Sequence, residues 1–140
     1  FVLTAMDMMN TTFSPENVEE VLAEWGQDLS YGDYYFLKRP EYMKQGLVNE
    51  FSLSGIRANV ELNINDTAAG KVYINTIQPE FLNGSWTGEY FTDYPVTVTA
   101  SANPGYRFVG WSGSSEVSEN TIEVAVTEGG VSLTAIFEKE

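Results

Sequence analysis

Between Trp86 and Phe137 the chain sets aromatic and β-branched residues at strand spacing around glycine and proline. The runs are Trp86-x-Gly-x-Tyr-Phe, Pro95-Val-Thr-Val-Thr-Ala, Gly105-Tyr-Arg-Phe-Val-Gly-Trp111 and Leu133-Thr-Ala-Ile-Phe137. Successive side chains of an extended strand point to opposite faces, so each run offers one face to a core and the other to water. Glycine and proline between the runs mark the turns, and the pattern predicts a compact β module. It contains no catalytic signature.

The alternation predicts about six strands. Val60, Leu62 and Ile64 share a face, Asn65 to Gly70 supplies a turn, and Val72 and Ile74 begin a return strand, which together read as a hairpin. Val96, Val98 and Ala100 form a third strand, Asn103-Pro104-Gly105 a tight turn, and Tyr106 and Phe108 face opposite Val109 and Trp111 in a fourth. Ile122, Val124 and Val126 then alternate with polar neighbours, as do Val131, Leu133, Ala135 and Phe137 after Gly129-Gly130. No internal repeat of the whole unit occurs, which makes this one module rather than an array.

Residues 1–54 have a different period. Ser14-Pro15-Glu16 is a helix start: the serine oxygen can cap free amides, proline suits the first helical position and glutamate favours the positive end of the dipole. Val18, Val21, Leu22 and Trp25 then fall on one face, and Gly26 ends the helix. Gly26 to Leu37 reads as a tyrosine-rich turn, and a second helix is expected from Pro40 with Met43, Leu47 and Phe51 at four-residue spacing. The expected architecture is therefore α+β: a short helical segment over 1–54, then a small antiparallel all-β module over 55–140. Short helices with one apolar face each require another surface to cover it, whether the β module, a second copy of the chain or a further part of a parent protein.

Composition narrows the functions. Of 140 residues 43% are hydrophobic, enough for a core, and 20 acidic against 7 basic residues give a formal charge of −13. That charge repels phosphate backbones and anionic membranes, so no nucleic-acid partner is expected. The chain has neither cysteine nor histidine, which removes disulfides, thiolate sites, and the commonest general base and zinc ligand. No apolar stretch approaches the roughly 20 residues of a membrane span. The segment from Phe1 to Met9 lacks a basic leader and a cleavage motif, and the start reads as a cut within a longer protein.

Candidate sites are few. Trp86, Tyr90 and Phe91 are placed between strands beside Asn83-Gly84 and Gly88, where flat aromatics could stack on sugar rings; the plainer alternative is that they staple a long connection to the sheet. Trp111 reads as core. Asn63, Asn65 and Asp66 could offer oxygen to calcium, but the spacing is no EF-hand loop, and a polar turn explains them. Glu116, Glu119 and Glu123 are read as solvated carboxylates rather than a glycosidase pair. Asn10-Thr-Thr, Asn65-Asp-Thr and Asn83-Gly-Ser match a glycosylation sequon that arises often by chance, and Gly70-Lys71-Val72 lacks the pattern of a phosphate loop. No catalytic residue, metal ligand or cofactor site is assigned.

Gly70-Lys-Val, Pro95-Val-Thr-Val-Thr-Ala, Gly105-Tyr-Arg-Phe-Val-Gly-Trp111 and Leu133-Thr-Ala-Ile-Phe-Glu138 together resemble a divergent internalin-B-type B-repeat over roughly residues 56–138. Upstream, Asn10-Thr-Thr-Phe-Ser-Pro-Glu16, Arg39-Pro-Glu-Tyr-Met-Lys-Gln45 and Glu50-Phe-Ser-Leu-Ser-Gly55 resemble the end of the CotH-type kinase domain of spore-coat and secreted bacterial proteins. In that family such a tail often runs into a β module carrying the Trp-x-Gly-x-Tyr-Phe element. The stretch between Trp25 and Arg39 is shorter than the helical passage of that family. The family's nucleotide-binding and catalytic residues lie upstream of any position here, so the resemblance assigns kinase activity to no residue of this chain.

The resemblances imply a non-catalytic accessory region of an extracellular, cell-surface or spore-coat bacterial protein that spaces, anchors or recognises. Its implied partners are an upstream kinase-like domain and a surface polysaccharide or another protein, and self-association is the third. Two alternatives stand beside it: a contribution in cis to phosphoryl transfer by an upstream domain, and a carbohydrate-binding module acting through Trp86 and Tyr90.

Overall fold

Helix comes first in the chain and strand second. The computed structural model describes the backbone of residues 1–26 and 33–140 and the side chains outside 27–37. Among the described residues lie helices α1 (Val2–Asn10), α2 (Pro15–Glu24) and α3 (Asp33–Phe51) and strands β1 (Arg57–Ile64), β2 (Gly70–Ile74), β3 (Ser85–Phe91), β4 (Val96–Ala102), β5 (Tyr106–Gly113), β6 (Thr121–Val124) and β7 (Val131–Lys139). The α+β class holds, with seven strands rather than six. The chain divides into two units, Phe1–Gly55 and Ile56–Glu140.

In the first unit, α1 buries Val2, Met6 and Met9, the spacing of a single helical face, together with Asp7. Ser14 caps α2 by accepting from the Asn17 amide at 3.3 Å, and Pro15 opens the helix. Trp25 follows the helix and Gly26 takes φ +65°. The apolar face of α2 forms as its sequence dictates but stays open: no residue of α2 is buried, Val21 is 42% exposed and Trp25 is 70% exposed.

The helix expected from Pro40 begins instead at Asp33, with Pro40 inside it. An internal proline removes its own amide and crowds the turn before it, and a helix of 19 residues keeps the rest of its ladder through that loss. The turn expected over Gly26–Leu37 is therefore helical from Asp33, and residues 27–32 of it lie outside the described residues. Along α3, Leu47 is buried while Met43 and Phe51 are about two-fifths exposed. The Phe51 ring lies 5.6 Å from that of Phe1.

In the second unit the odd-numbered strands form one sheet, in the order β3-β1-β7-β5, and the even-numbered strands form the other, β2-β4-β6. Consecutive strands never pair. The hairpin expected from β1 and β2 is thus replaced by a crossing from one sheet to the other through the Asn65–Gly70 turn, and the Asn103–Gly105 turn carries β4 to β5 in the same way. Alternation fixes which residues of a strand face inward; it contains no information on which strand lies alongside. One ladder also departs from the antiparallel expectation: β1 and β7 run parallel, with Val60 opposite Val131 and Ile64 opposite Ala135. Parallel neighbours need a long crossover rather than a turn, and here the other five strands supply it.

The inner faces are those the alternation marks. Val60, Leu62, Val72, Ile74, Val96, Val98, Leu133 and Ala135 are at most 1% exposed. The sheets approach closely at Gly70, whose missing side chain leaves room for the Phe137 ring and the Ser101 carbonyl. Phe108 and Trp111, expected on opposite faces, lie on the same one, because a bulge at Val109 inserts an extra residue between the pairs Phe108–Phe137 and Gly110–Ile136. The Phe108 ring then packs edge-on to both Trp111 and Phe137, at 5.4 and 5.5 Å.

Candidate functional site

The aromatic run that the sequence places between strands is itself a strand. Asn83 and Gly84 take φ +53° and +80°, and Leu82 and Ser85 exchange two backbone hydrogen bonds of 3.0 and 3.1 Å across them. This is the two-residue turn that Asn-Gly favours, because both central positions need positive φ. It launches β3 along β1, with Trp86 opposite Leu62 and Tyr90 opposite Ala58. Tyr90 and Phe91 are 0% and 2% exposed, and Trp86 is half-buried. The difference has a local cause: Trp86-Thr-Gly-Glu-Tyr is punctuated by Gly88, which reads as a loop but is buried opposite Val60 inside the sheet. Tyr90 and Phe91 offer no ring face to a solvent-borne ligand.

The other candidates separate cleanly. Trp111 is core at 3% exposure, and its indole N–H donates to the Glu119 carbonyl at 3.1 Å. Asp66 accepts from the Ala68 amide at 2.9 Å, as a turn residue does, and Asn63 donates to Glu61 at 2.8 Å. Glu116, Glu119 and Glu123 are exposed. Among the described residues no three acidic side chains gather as a metal site would require. Asn65 has a role that the sequon and calcium readings both miss: its amide donates to the Phe137 carbonyl and its carbonyl accepts from the Phe137 amide, each at 2.9 Å. A side chain so engaged mimics one more rung of the ladder between β1 and β7.

That ladder joins the two central strands of the four-stranded sheet. Five residue pairs join β1 to β7 from Val60–Val131 to Ile64–Ala135, the Asn65 amide donates to the Ala135 carbonyl at 3.2 Å, and the Asn65 side chain adds its two bonds beyond. Its inward residues are buried, with Val60, Leu62, Leu133 and Ala135 all 0% exposed, while Ser132 on the outer face is exposed. Neither Asn65 nor the pairing itself has a periodic signature, and only the Asn at the end of a hydrophobic strand hints at it.

Concavities lie elsewhere. A cleft of about 270 Å³ opens beside the Asn65–Gly70 turn, its lining including Ile64, Val72, Phe81, Lys71, Glu80 and Asn103. Arg57 pairs with Glu89 at 2.9 Å and Arg107 with Glu138 at 2.7 Å, whereas Lys71 has no carboxylate within salt-bridge distance among the described residues. Asn103 is pinned by donating to the Ala68 carbonyl at 2.9 Å. The cleft is smaller than the usual ligand pocket, which runs from roughly 300 Å³ upward. The sequence gives Lys71 and Glu80 no special context, since only the fold brings both to the lining of one cleft.

The model of the divergent InlB B-repeat domain matches residues 60–140 of the chain. No curated protein and no solved structure matches it. Among the described residues, no helix is long and apolar enough to cross a membrane.

Proposed function

Because the chain belongs to the divergent InlB B-repeat family, whose repeats occur in surface proteins, we propose that it is a non-catalytic accessory region of a secreted or surface-associated bacterial protein. Its work in this reading is to space and anchor other parts of that protein. The observation that carries the proposal is the family match over a unit whose inward side chains are consumed by its own core. The parent, in this proposal, is a CotH-type protein whose kinase-like domain lies upstream and carries whatever phosphoryl transfer occurs.

Intrinsic tryptophan fluorescence of the full chain, titrated with magnesium-ATP and with a panel of cell-wall polysaccharides, tests the reading, alongside a phosphate-transfer assay. The expected result is no saturable change with magnesium-ATP and no transfer. Saturable nucleotide binding with transfer overturns it in favour of a direct part in phosphoryl chemistry. A saturable glycan response that disappears in Trp86→Ala replaces spacing by recognition at the β3 edge.

A further inference from the structure

We propose that the second unit bears tensile load, with the parallel β1–β7 ladder as its mechanical clamp. The inference rests on the spacing role and adds to it the property that would make a spacer effective.

The argument is one of direction. The unit starts at Ile56, where β1 begins, and ends at Glu140, where β7 finishes. Since β1 and β7 are neighbours and run the same way, those two points lie at opposite ends of the shared ladder. Pulling them apart slides one strand along the other, so the rungs from Val60–Val131 to Ile64–Ala135 are strained together and must fail together. Had the terminal strands been antiparallel, the same pull would have opened the ladder one rung at a time. The Asn65 side chain adds its two bonds to Phe137 at the loaded end of β7, where a sliding strand first tests the ladder. Both strands are central in their sheet, flanked by β3 and β5. The clamp therefore lies at no open sheet edge, and its inner face is packed in the core, which limits the water that can compete for its hydrogen bonds as they stretch.

The same ladder can be pulled in a second direction. Gly129 precedes β7 and lies at the end of the ladder where β1 begins; a side chain built there meets nothing within 4 Å. Force between residues 56 and 129 peels the two strands apart sequentially, although the bonds are the same. Because the chain has no cysteine, handles can be placed at will.

Single-molecule force spectroscopy on the full chain carrying Ile56→Cys with Glu140→Cys, and separately Ile56→Cys with Gly129→Cys, reads the difference, and circular dichroism checks that both variants are folded. The unfolding force is expected to be severalfold higher for the first pair than for the second, and Asn65→Ala is expected to lower the first while leaving the second unchanged. Forced unfolding reports the barrier rather than the equilibrium, so equal thermal stability of the variants does not blur the result. Equal forces in the two geometries, or a lower force for the 56–140 pair, overturn the clamp. Such a failure together with a silent magnesium-ATP titration removes load-bearing alone and leaves the accessory role standing.

Discussion

The helical unit and the β unit handle apolar surface in opposite ways. In Ile56–Glu140, alternation delivers Val60, Leu62, Val96, Val98, Leu133 and Ala135 to a core in which each is 0% exposed. In Phe1–Gly55, by contrast, Phe1 is 85%, Trp25 70% and Tyr42 62% exposed, and α2 buries nothing. A strand in a two-sheet unit finds its cover within that unit, whereas a short helix with one apolar stripe depends on whatever lies next to it. The β unit thus concentrates its stability in a few packed positions. Among its described residues, the helical unit buries Val2, Met6, Met9 and Leu47 and leaves more of its large apolar side chains open.

Substitutions that sharpen this contrast range from severe to silent. Leu133→Ala removes a fully buried side chain and is expected to cost about 3 kcal/mol, moving the thermal midpoint of the β unit down by more than about 10 °C in a circular-dichroism melt. Gly70→Ala drives a methyl group into the Phe137 ring and the Ser101 carbonyl, with an expected cost of about 2 kcal/mol from overpacking in chemical denaturation. Asn65→Ala leaves the Phe137 backbone groups without their side-chain partner; a loss of about 1.5 kcal/mol is expected, and faster amide exchange at Phe137 locates it. Trp25→Ser, at a side chain 70% exposed, is expected to change stability by less than about 0.5 kcal/mol. A large effect at Trp25 would break the comparison, since it would mean that the open face of α2 is covered in solution.

What the sequence disclosed and what it concealed divide along the same physical line. Local rules place Ser14 as a cap, Asn103–Gly105 as a turn and the inward residues of β1, β4 and β7 as core, because each depends on neighbours in sequence. Pairing depends on partners far along the chain, so the β1–β2 hairpin, plausible from its turn, gives way to a crossing between sheets, and the parallel β1–β7 ladder leaves no periodic trace beyond Asn65 at the end of β1. The bulge at Val109 is nearer to the local class: one inserted residue reverses which aromatics share a face, and Gly110 beside it is the hint that the alternation alone passes over. The aromatic run is misplaced between strands for a related reason. Gly88 reads as loop punctuation, but it pairs with Val60 within the β1–β3 ladder. The CotH-type resemblance of residues 1–54 rests on short motifs, and no family match extends over them.

The interleaving of odd and even strands also governs the order in which the unit can assemble. No two consecutive strands form a ladder, so no hairpin is available to nucleate early, and every pairing must close a loop first. The last strand is the decisive one: β5 has no neighbour in its sheet except β7, and β1 has only β3 until β7 arrives. A chain synthesised or translocated from its amino end can therefore pair β1 with β3 and β4 with β2 and β6, but it holds β5 unpaired and one edge of β1 open until residues 131–139 emerge.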